Sequence, residues 1–223
     1  MSSSVNLSLT PSEVVFFNGQ EFAKQVLIGN VTLMHVDAKV SAAELGLAML
    51  RAAFLGAERS GALRLEVRQK KALLGLARRD TLYAEPLGGA PAWPEPSFES
   101  KLVQLAAQWK AANGSNEVSN IIVALLGQDS ANPWQSLAEI IKSQLAQRGL
   151  LRAIQERKLK IFVSTRYELP ESTAAMLLRQ PVAPVQDLLA DCQHNRPQVW
   201  KLLEAHIRRA IQQRTEQSDS SDD

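Results

Sequence analysis

Apolar positions recur along this chain first with helical and then with alternating spacing, and the same order occurs twice. From Ser41 to Leu55 the residues Leu45, Leu47, Ala48, Leu50, Ala52, Phe54 and Leu55 form an apolar stripe too wide for a surface helix, which predicts a buried central helix. Ser41 and Glu44 stand at N-cap and N3 spacing and mark its start. A glycine, Gly61, follows, and then Leu63, Leu65 and Val67 alternate with Arg64 and Glu66, the period of a half-buried strand. The second copy runs from Pro133 through Gly149 to Val163, with Asn132 as N-cap, Pro133 at the first helical position and Gln135 at N3. Helix, tight turn and hairpin is the layout of a winged-helix unit.

The remaining pattern is mostly helical. Thr10-Pro11-Ser12-Glu13 is a capping box with a proline at N1, which predicts a short helix carrying Val14, Val15, Phe16 and Phe17 inward to a stop near Gly19. A second short helix is expected over Gln20 to Ile28 and an extended segment over Val31 to Val36. The first hairpin returns through Leu73 to Leu76 and Thr81 to Tyr83 into LGGAPAWPEP, whose glycines and prolines predict the longest loop and the best hinge. Further helices are expected over Ser97 to Ala112, Val118 to Leu126, Pro133 to Gln147, Ser172 to Leu178, Val185 to Cys192 and Pro197 to Gln213. The reading is a mainly α single domain with short β-hairpins over 1–214, followed by a disordered acidic tail over 215–223.

Length and charge narrow the picture. With 223 residues, 45% of them hydrophobic, the chain can bury a full core. MSSSVNLSLT lacks a basic n-region and an apolar h-region, and no window is apolar enough for a membrane span, so a soluble, cytoplasmic protein is expected. The net charge of +2 already includes Glu216, Asp219, Asp222 and Asp223 near the end, so the body is more basic than the whole and suits an anionic surface.

The segment Ala52-Ala53-Phe54-Leu55-Gly56-Ala57-Glu58-Arg59-Ser60-Gly61-Ala62-Leu63-Arg64-Leu65 resembles the helix-to-strand step of the Golgi phosphoprotein 3 family. Arg148-Gly149-Leu150-Leu151 is similar to its second helix-to-hairpin step, and Tyr167-Glu168-Leu169-Pro170 to the segment leaving that hairpin. The resemblance covers roughly Leu7 to Gln213. It implies a helical domain that binds membranes peripherally through phosphatidylinositol 4-phosphate and acts as an adaptor for cytoplasmic tails of membrane enzymes. It also implies that the second hairpin contributes to self-association, hence a homo-oligomer, and to membrane contact. The departures fall at the ligand. No tryptophan precedes Trp93, and Gln135 and Ala138 stand where the family has two arginines. Of the central-helix arginine only Arg51, one position off, carries over.

Candidate contact residues follow from this. Arg64, Arg68, Lys70, Lys71, Arg78 and Arg79 form the densest basic stretch and, with Arg51, the candidate anionic-lipid site; the plain alternative is a solvated face. On the second hairpin, Lys158, Lys160 and Phe162 are candidates for membrane or partner contact, while Leu159, Ile161 and Val163 alternate toward the core. Trp93 either caps the core, the commoner fate of a loop tryptophan, or anchors at a membrane or partner; Trp109, Trp134 and Trp200 are expected in the core. Cys192 and His194 lack a third and fourth ligand for zinc, and no nucleotide-binding or hydrolase motif occurs, so no cofactor and no enzyme are expected. The function read from sequence is a non-enzymatic peripheral membrane or adaptor module binding anionic phospholipid or a protein partner. The alternative is a winged-helix nucleic-acid binder or regulator. Neither the Ser41 to Leu55 helix, with Arg51 its one base, nor the Pro133 to Gln147 helix offers the basic exposed face a groove requires.

Overall fold

The structure is a computed structural model that describes residues 8–26, 30–36, 38–71, 78–88, 93–127, 132–158 and 162–219. Its elements follow the order α1 (Pro11–Phe17), a 3₁₀ turn (Gly19–Glu21), β1 (Asn30–Thr32), β2 (Lys39–Ser41), α2 (Ala42–Arg59), β3 (Leu63–Lys71), β4 (Arg78–Pro86), α3 (Phe98–Asn113), α4 (Val118–Leu126), α5 (Pro133–Gln147), β5 (Arg152–Lys158), β6 (Phe162–Glu168), α6 (Glu171–Leu177), α7 (Ala183–Asn195) and α8 (Pro197–Asp219). The architecture is mainly helical, and the strands form three separate two-stranded antiparallel sheets, β1–β2, β3–β4 and β5–β6.

The helix starts follow their caps. The Thr10 N–H donates to Glu13 Oε2 at 3.0 Å, the Glu44 N–H to Ser41 Oγ at 3.4 Å, and the Gln135 N–H to Asn132 Oδ1 at 3.3 Å. Both cassettes turn from helix to strand through a left-handed glycine, Gly61 at φ +77° and Gly149 at φ +74°, where a side chain would be strained.

Helix α2 is buried around most of its circumference. Leu45, Met49, Leu50, Ala52, Ala53, Phe54 and Ala57 are all sealed from solvent, and α1, α3, α5, α7, α8 and the first hairpin pack around them. Two glycines allow the closest approaches. A Cβ on Gly56 would lie 2.7 Å from Pro11 Cγ of α1, and one on Gly46 would lie 2.8 Å from Trp134 of α5. The apolar cluster extends without a break from Val14 of α1 to Ile211 of α8.

Three expectations differ from the structure. Over Gln20 to Ile28 only the 3₁₀ turn forms; the chain then straightens, with Gln25 bridged to Val40, and residues 27–29 lie outside the described residues. The extended segment over Val31 to Val36 pairs only as far as Thr32, because the Leu33 N–H donates to the Ala38 carbonyl and closes a turn. Helix α8 continues through Thr215 to Asp219, the first part of the expected disordered tail. Its last turns are held by Gln212 to Glu216 at 2.9 Å, Thr215 Oγ1 to the Ile211 carbonyl at 3.1 Å, and Arg214 to the Val123 carbonyl of α4 at 2.7 Å. Residues 220–223 lie outside the described residues, as do Leu73 to Leu76 of the first hairpin.

One buried ionic cluster joins α1 to α3 and α5. Glu13 and Glu99 are both fully buried. Glu99 accepts from the Ser12 N–H at 2.8 Å and from Ser12 Oγ at 3.0 Å, while Arg148, beyond the end of α5, pairs with Glu13. Burial, and secondarily the charge of Glu13, pushes the Glu99 carboxyl up to about 7. Between the ordinary carboxyl value and about 7 the unfolded chain has released this proton and the folded chain still holds it. Stability from Glu99 is therefore fully present below about pH 4.5 and is lost as pH rises to about 7. Glu99→Gln keeps an acceptor for the Ser12 N–H and removes this dependence. Urea unfolding at pH 5 and pH 8 is expected to show the variant gaining about 3 kcal/mol relative to wild type at the higher pH.

Candidate functional site

The first hairpin alternates as its sequence requires. The register sets Leu63 opposite Pro86, Leu65 opposite Ala84 and Val67 opposite Leu82, and of these Leu63, Leu65, Leu82 and Ala84 are buried. The polar positions divide into two halves with different charge balance.

In the half nearer the core, bases and acids compensate. Arg64 pairs with Glu66, and Arg68 bridges Glu66 and, at 2.9 Å, Glu85 while its guanidinium lies 4.9 Å over the Tyr83 ring. Lys110 of α3 pairs with Glu85, and Asn116 Nδ2 donates to Glu85 Oε2 at 2.8 Å. Lys110, then Asn116 and Arg68, hold the Glu85 carboxyl down to about 2.

The outer half is different. The register of its last two cross-strand pairs sets Lys70 opposite Arg79 and Lys71 opposite Arg78, a basic residue at all four positions. Like charges directly opposite on a two-stranded ribbon are destabilising. Arg78 and Arg79 are exposed, and Arg78 Nη1 donates to Gln69 Oε1 at 3.3 Å. For Lys71 the structure describes the backbone pairing alone.

Beside Lys70 and Arg79 the structure places residues that the sequence does not connect to them. Glu117, the N-cap of α4, is bridged to Tyr83 of β4 and its side chain is only 7% exposed. Lys70 Nζ donates to Glu117 Oε2 at 2.8 Å and Ser119 Oγ to Oε1 at 3.2 Å, with Arg209 Nη1 of α8 3.8 Å from Oε1. His206, also on α8 and 2% exposed, brings Nδ1 within 3.8 Å of Glu117 Oε1. Its Nε2 accepts from the Leu82 N–H at 3.1 Å. Burial lowers the His206 pKa; Glu117 pulls it up, while Arg79 and Lys70 push it down. Lys70 and Arg209 thus flank one carboxylate, and Arg79, opposite Lys70, adds further positive charge beside them. Arg209 lies far from the basic stretch in sequence, and its only sequence signal is its place three residues after His206 on an amphipathic helix.

Arg51 does not belong to this face. Its side chain is 11% exposed, lies 3.8 Å over the Trp200 ring and pairs with Glu204, both on α8. Burial lowers its pKa and Glu204 opposes the shift. The neighbouring positions of the resemblance offer no charge, since Gln135 is exposed but neutral and Ala138 is buried. Trp93 is half-buried and packs on the apolar cluster, as Trp109, Trp134 and Trp200 do. On the second hairpin Leu159, Lys160 and Ile161 lie outside the described residues, and for Lys158, Phe162 and Val163 only the backbone pairing is described.

A groove of about 740 Å³ runs between the end of β1, α5 and β6, but its charges are paired with each other: Lys142 with Glu139, and Arg166 with Glu156 and Glu168. Cys192 is buried, which raises its thiol pKa. Among the described residues no group of three His, Cys, Asp or Glu side chains is placed to hold a metal ion. No protein-family model matches the chain, and no curated protein matches it.

Arg51→Ala leaves Glu204 without its buried partner and uncovers the Trp200 ring. It is expected to cost about 2 kcal/mol of stability in urea unfolding, as breaking a partly buried pair does. Its binding to acidic vesicles is expected to equal wild type, whereas a lipid-contacting Arg51 would show the reverse.

Proposed function

We propose that this protein is a non-enzymatic peripheral module that docks on an anionic membrane surface through the outer end of the β3–β4 hairpin and the adjoining face of α8. The observation that carries this reading is the pair of cross-strand cation couples, Lys70 with Arg79 and Lys71 with Arg78, extended by Arg209. Such couples weaken the isolated ribbon, and an anionic partner relieves the repulsion. The sequence between them, Ala-Leu-Leu-Gly-Leu-Ala at 72–77, is apolar and belongs to the residues not described. Its composition favours a lipid surface over a soluble polyanion. Each Lys or Arg near an anionic bilayer contributes about 1 kcal/mol, so binding through this end is reversible and sensitive to salt.

The resemblance to the Golgi phosphoprotein 3 family supports the same class of function, with phosphatidylinositol 4-phosphate one anionic headgroup among those the face would accept. The engagement of Arg51 by α8 and the neutral Gln135 and Ala138 favour docking through the hairpin end over the headgroup pocket that the resemblance implies. Adaptor activity toward a protein partner belongs to the same proposal. The nucleic-acid alternative has less support, because α2 is covered by other helices and has no free face to lay in a groove.

Co-sedimentation with phosphatidylcholine vesicles, with and without phosphatidylserine or phosphatidylinositol 4-phosphate, tests this. Wild type is expected on both acidic vesicles at low salt, with affinity falling at physiological salt, and Arg78→Glu/Arg79→Glu is expected to weaken binding at least about tenfold. Equally poor binding to acidic and neutral vesicles at low salt would overturn the reading.

A further inference from the structure

His206 lies beneath the cationic face and is sealed by the hairpin above it. Because Nε2 accepts the Leu82 N–H, the proton of the neutral ring is on Nδ1, the nitrogen aimed at Glu117. Among the described residues no acceptor lies within hydrogen-bond distance of Nδ1. The charged groups acting on the ring are Lys70 from β3, Arg79 from β4 and Glu117 from the start of α4, and Arg209 of its own helix meets the same Glu117 carboxylate. The Glu117 carboxylate is therefore shared between outer cations, Lys70 and Arg209, and an inner imidazole.

We infer that this node binds a compact dianion of the phosphate-ester class between Lys70, Arg79 and Arg209, and that binding is coupled to the uptake of one proton by His206. The inference rests on the anionic-surface reading and names the ligand chemistry and the regulation of that face. An incoming dianion draws Lys70 and Arg209 away from Glu117. A carboxylate that is only 7% exposed cannot be left without a counter-charge, and an imidazolium 3.8 Å away supplies one. The proton comes from solvent and adds to Nε2, since Nδ1 already carries one. Nε2 then ceases to accept from Leu82, whose N–H is released. In the free protein burial, and then the Leu82 bond and the cations Arg79 and Lys70, keep the ring neutral; in the bound protein the ligand neutralises those cations and Glu117 stabilises the charged ring. By linkage, the anion raises the affinity of His206 for its proton, and lower pH raises the affinity for the anion.

Nuclear magnetic resonance of the full chain over pH 5.5 to 8 tests this, with sodium sulfate compared against sodium chloride at equal ionic strength. Sulfate keeps its charge over that range, so any pH dependence belongs to the protein. The His206 ring midpoint is expected to rise by about one pH unit in sulfate alone, with the Leu82 amide moving at the same midpoint and His35 and His194 unmoved. The sulfate Kd is expected to tighten several-fold from pH 8 to pH 6. His206→Gln keeps an acceptor for Leu82 and is expected to bind sulfate with no such dependence. Phosphatidic acid vesicles against glycerol phosphate in the same titration separate a lipid headgroup from a soluble ester as the source of the dianion. A His206 midpoint equal in sulfate and chloride, absent sulfate binding, or pH dependence that survives in His206→Gln would overturn the inference. Sulfate binding of constant affinity would overturn the proton coupling and leave the membrane reading standing, while proton-coupled sulfate binding without any vesicle binding would overturn the membrane reading alone.

Discussion

The burial of α2 is the constraint on which the rest of the structure depends. A helix that is apolar around most of its surface must be covered on every side, and here α1, α3, α5, α7, α8 and the first hairpin supply the cover. Gly56 under Pro11 and Gly46 under Trp134 let two of those helices come closer than an alanine would permit. The few polar positions of α2 then act as latches to different elements. Glu44 accepts from the Lys24 N–H at 2.7 Å, Arg51 holds Trp200 and Glu204, and Glu58 takes Arg196 at 2.5 Å together with the Leu65 N–H at 2.9 Å. These bonds fix the places of the segment at Lys24, the hairpin after the helix, and the two C-terminal helices.

That arrangement fixes what the first hairpin can present. Its core half is tied to α3 and the segment before α4 through Glu85 and Asn116, which consumes the charges of Arg68 and Lys110. Its outer half meets the buried carboxylate of Glu117, which Lys70 and Arg209 flank. A stretch that is mostly basic in sequence thus becomes an ion-pair network around Glu66 and Glu85 at one end and a cationic face at the other. The buried imidazole of His206 joins that face to the packing of β4 on α8.

The family resemblance raises an expectation about Arg51 that packing redirects. A guanidinium on a central helix could serve a headgroup only if it reached solvent. Here stacking on Trp200 and pairing with Glu204 turn it into a bond between α2 and α8. Sequence reasoning could place Arg51 on the helix but had no means of seeing the residue that covers it. The tail is a related case: an acidic, Ser-rich composition suggests disorder, yet Arg214 reaching the Val123 carbonyl lets the helix run on to Asp219.

Local interactions made much of the fold legible. The caps at Thr10, Ser41 and Asn132, the glycine stops at 61 and 149, the wide stripe of α2 and the alternation of Leu63, Leu65 and Val67 all act within a few residues, so the sequence by itself determined helices α1 to α8 and the hairpins β3–β4 and β5–β6, but not the pairing of β1 with β2. The partners of the charges were decided only by tertiary structure. Arg51 and Glu204 are 153 residues apart, Leu82 and His206 are 124 apart, and Lys70 and Glu117 are 47 apart. No local periodicity encodes such pairings. They exist because covering α2 brings α8, α4 and the hairpin to one place, and there proximity decides which cations find a carboxylate and which stay at the surface.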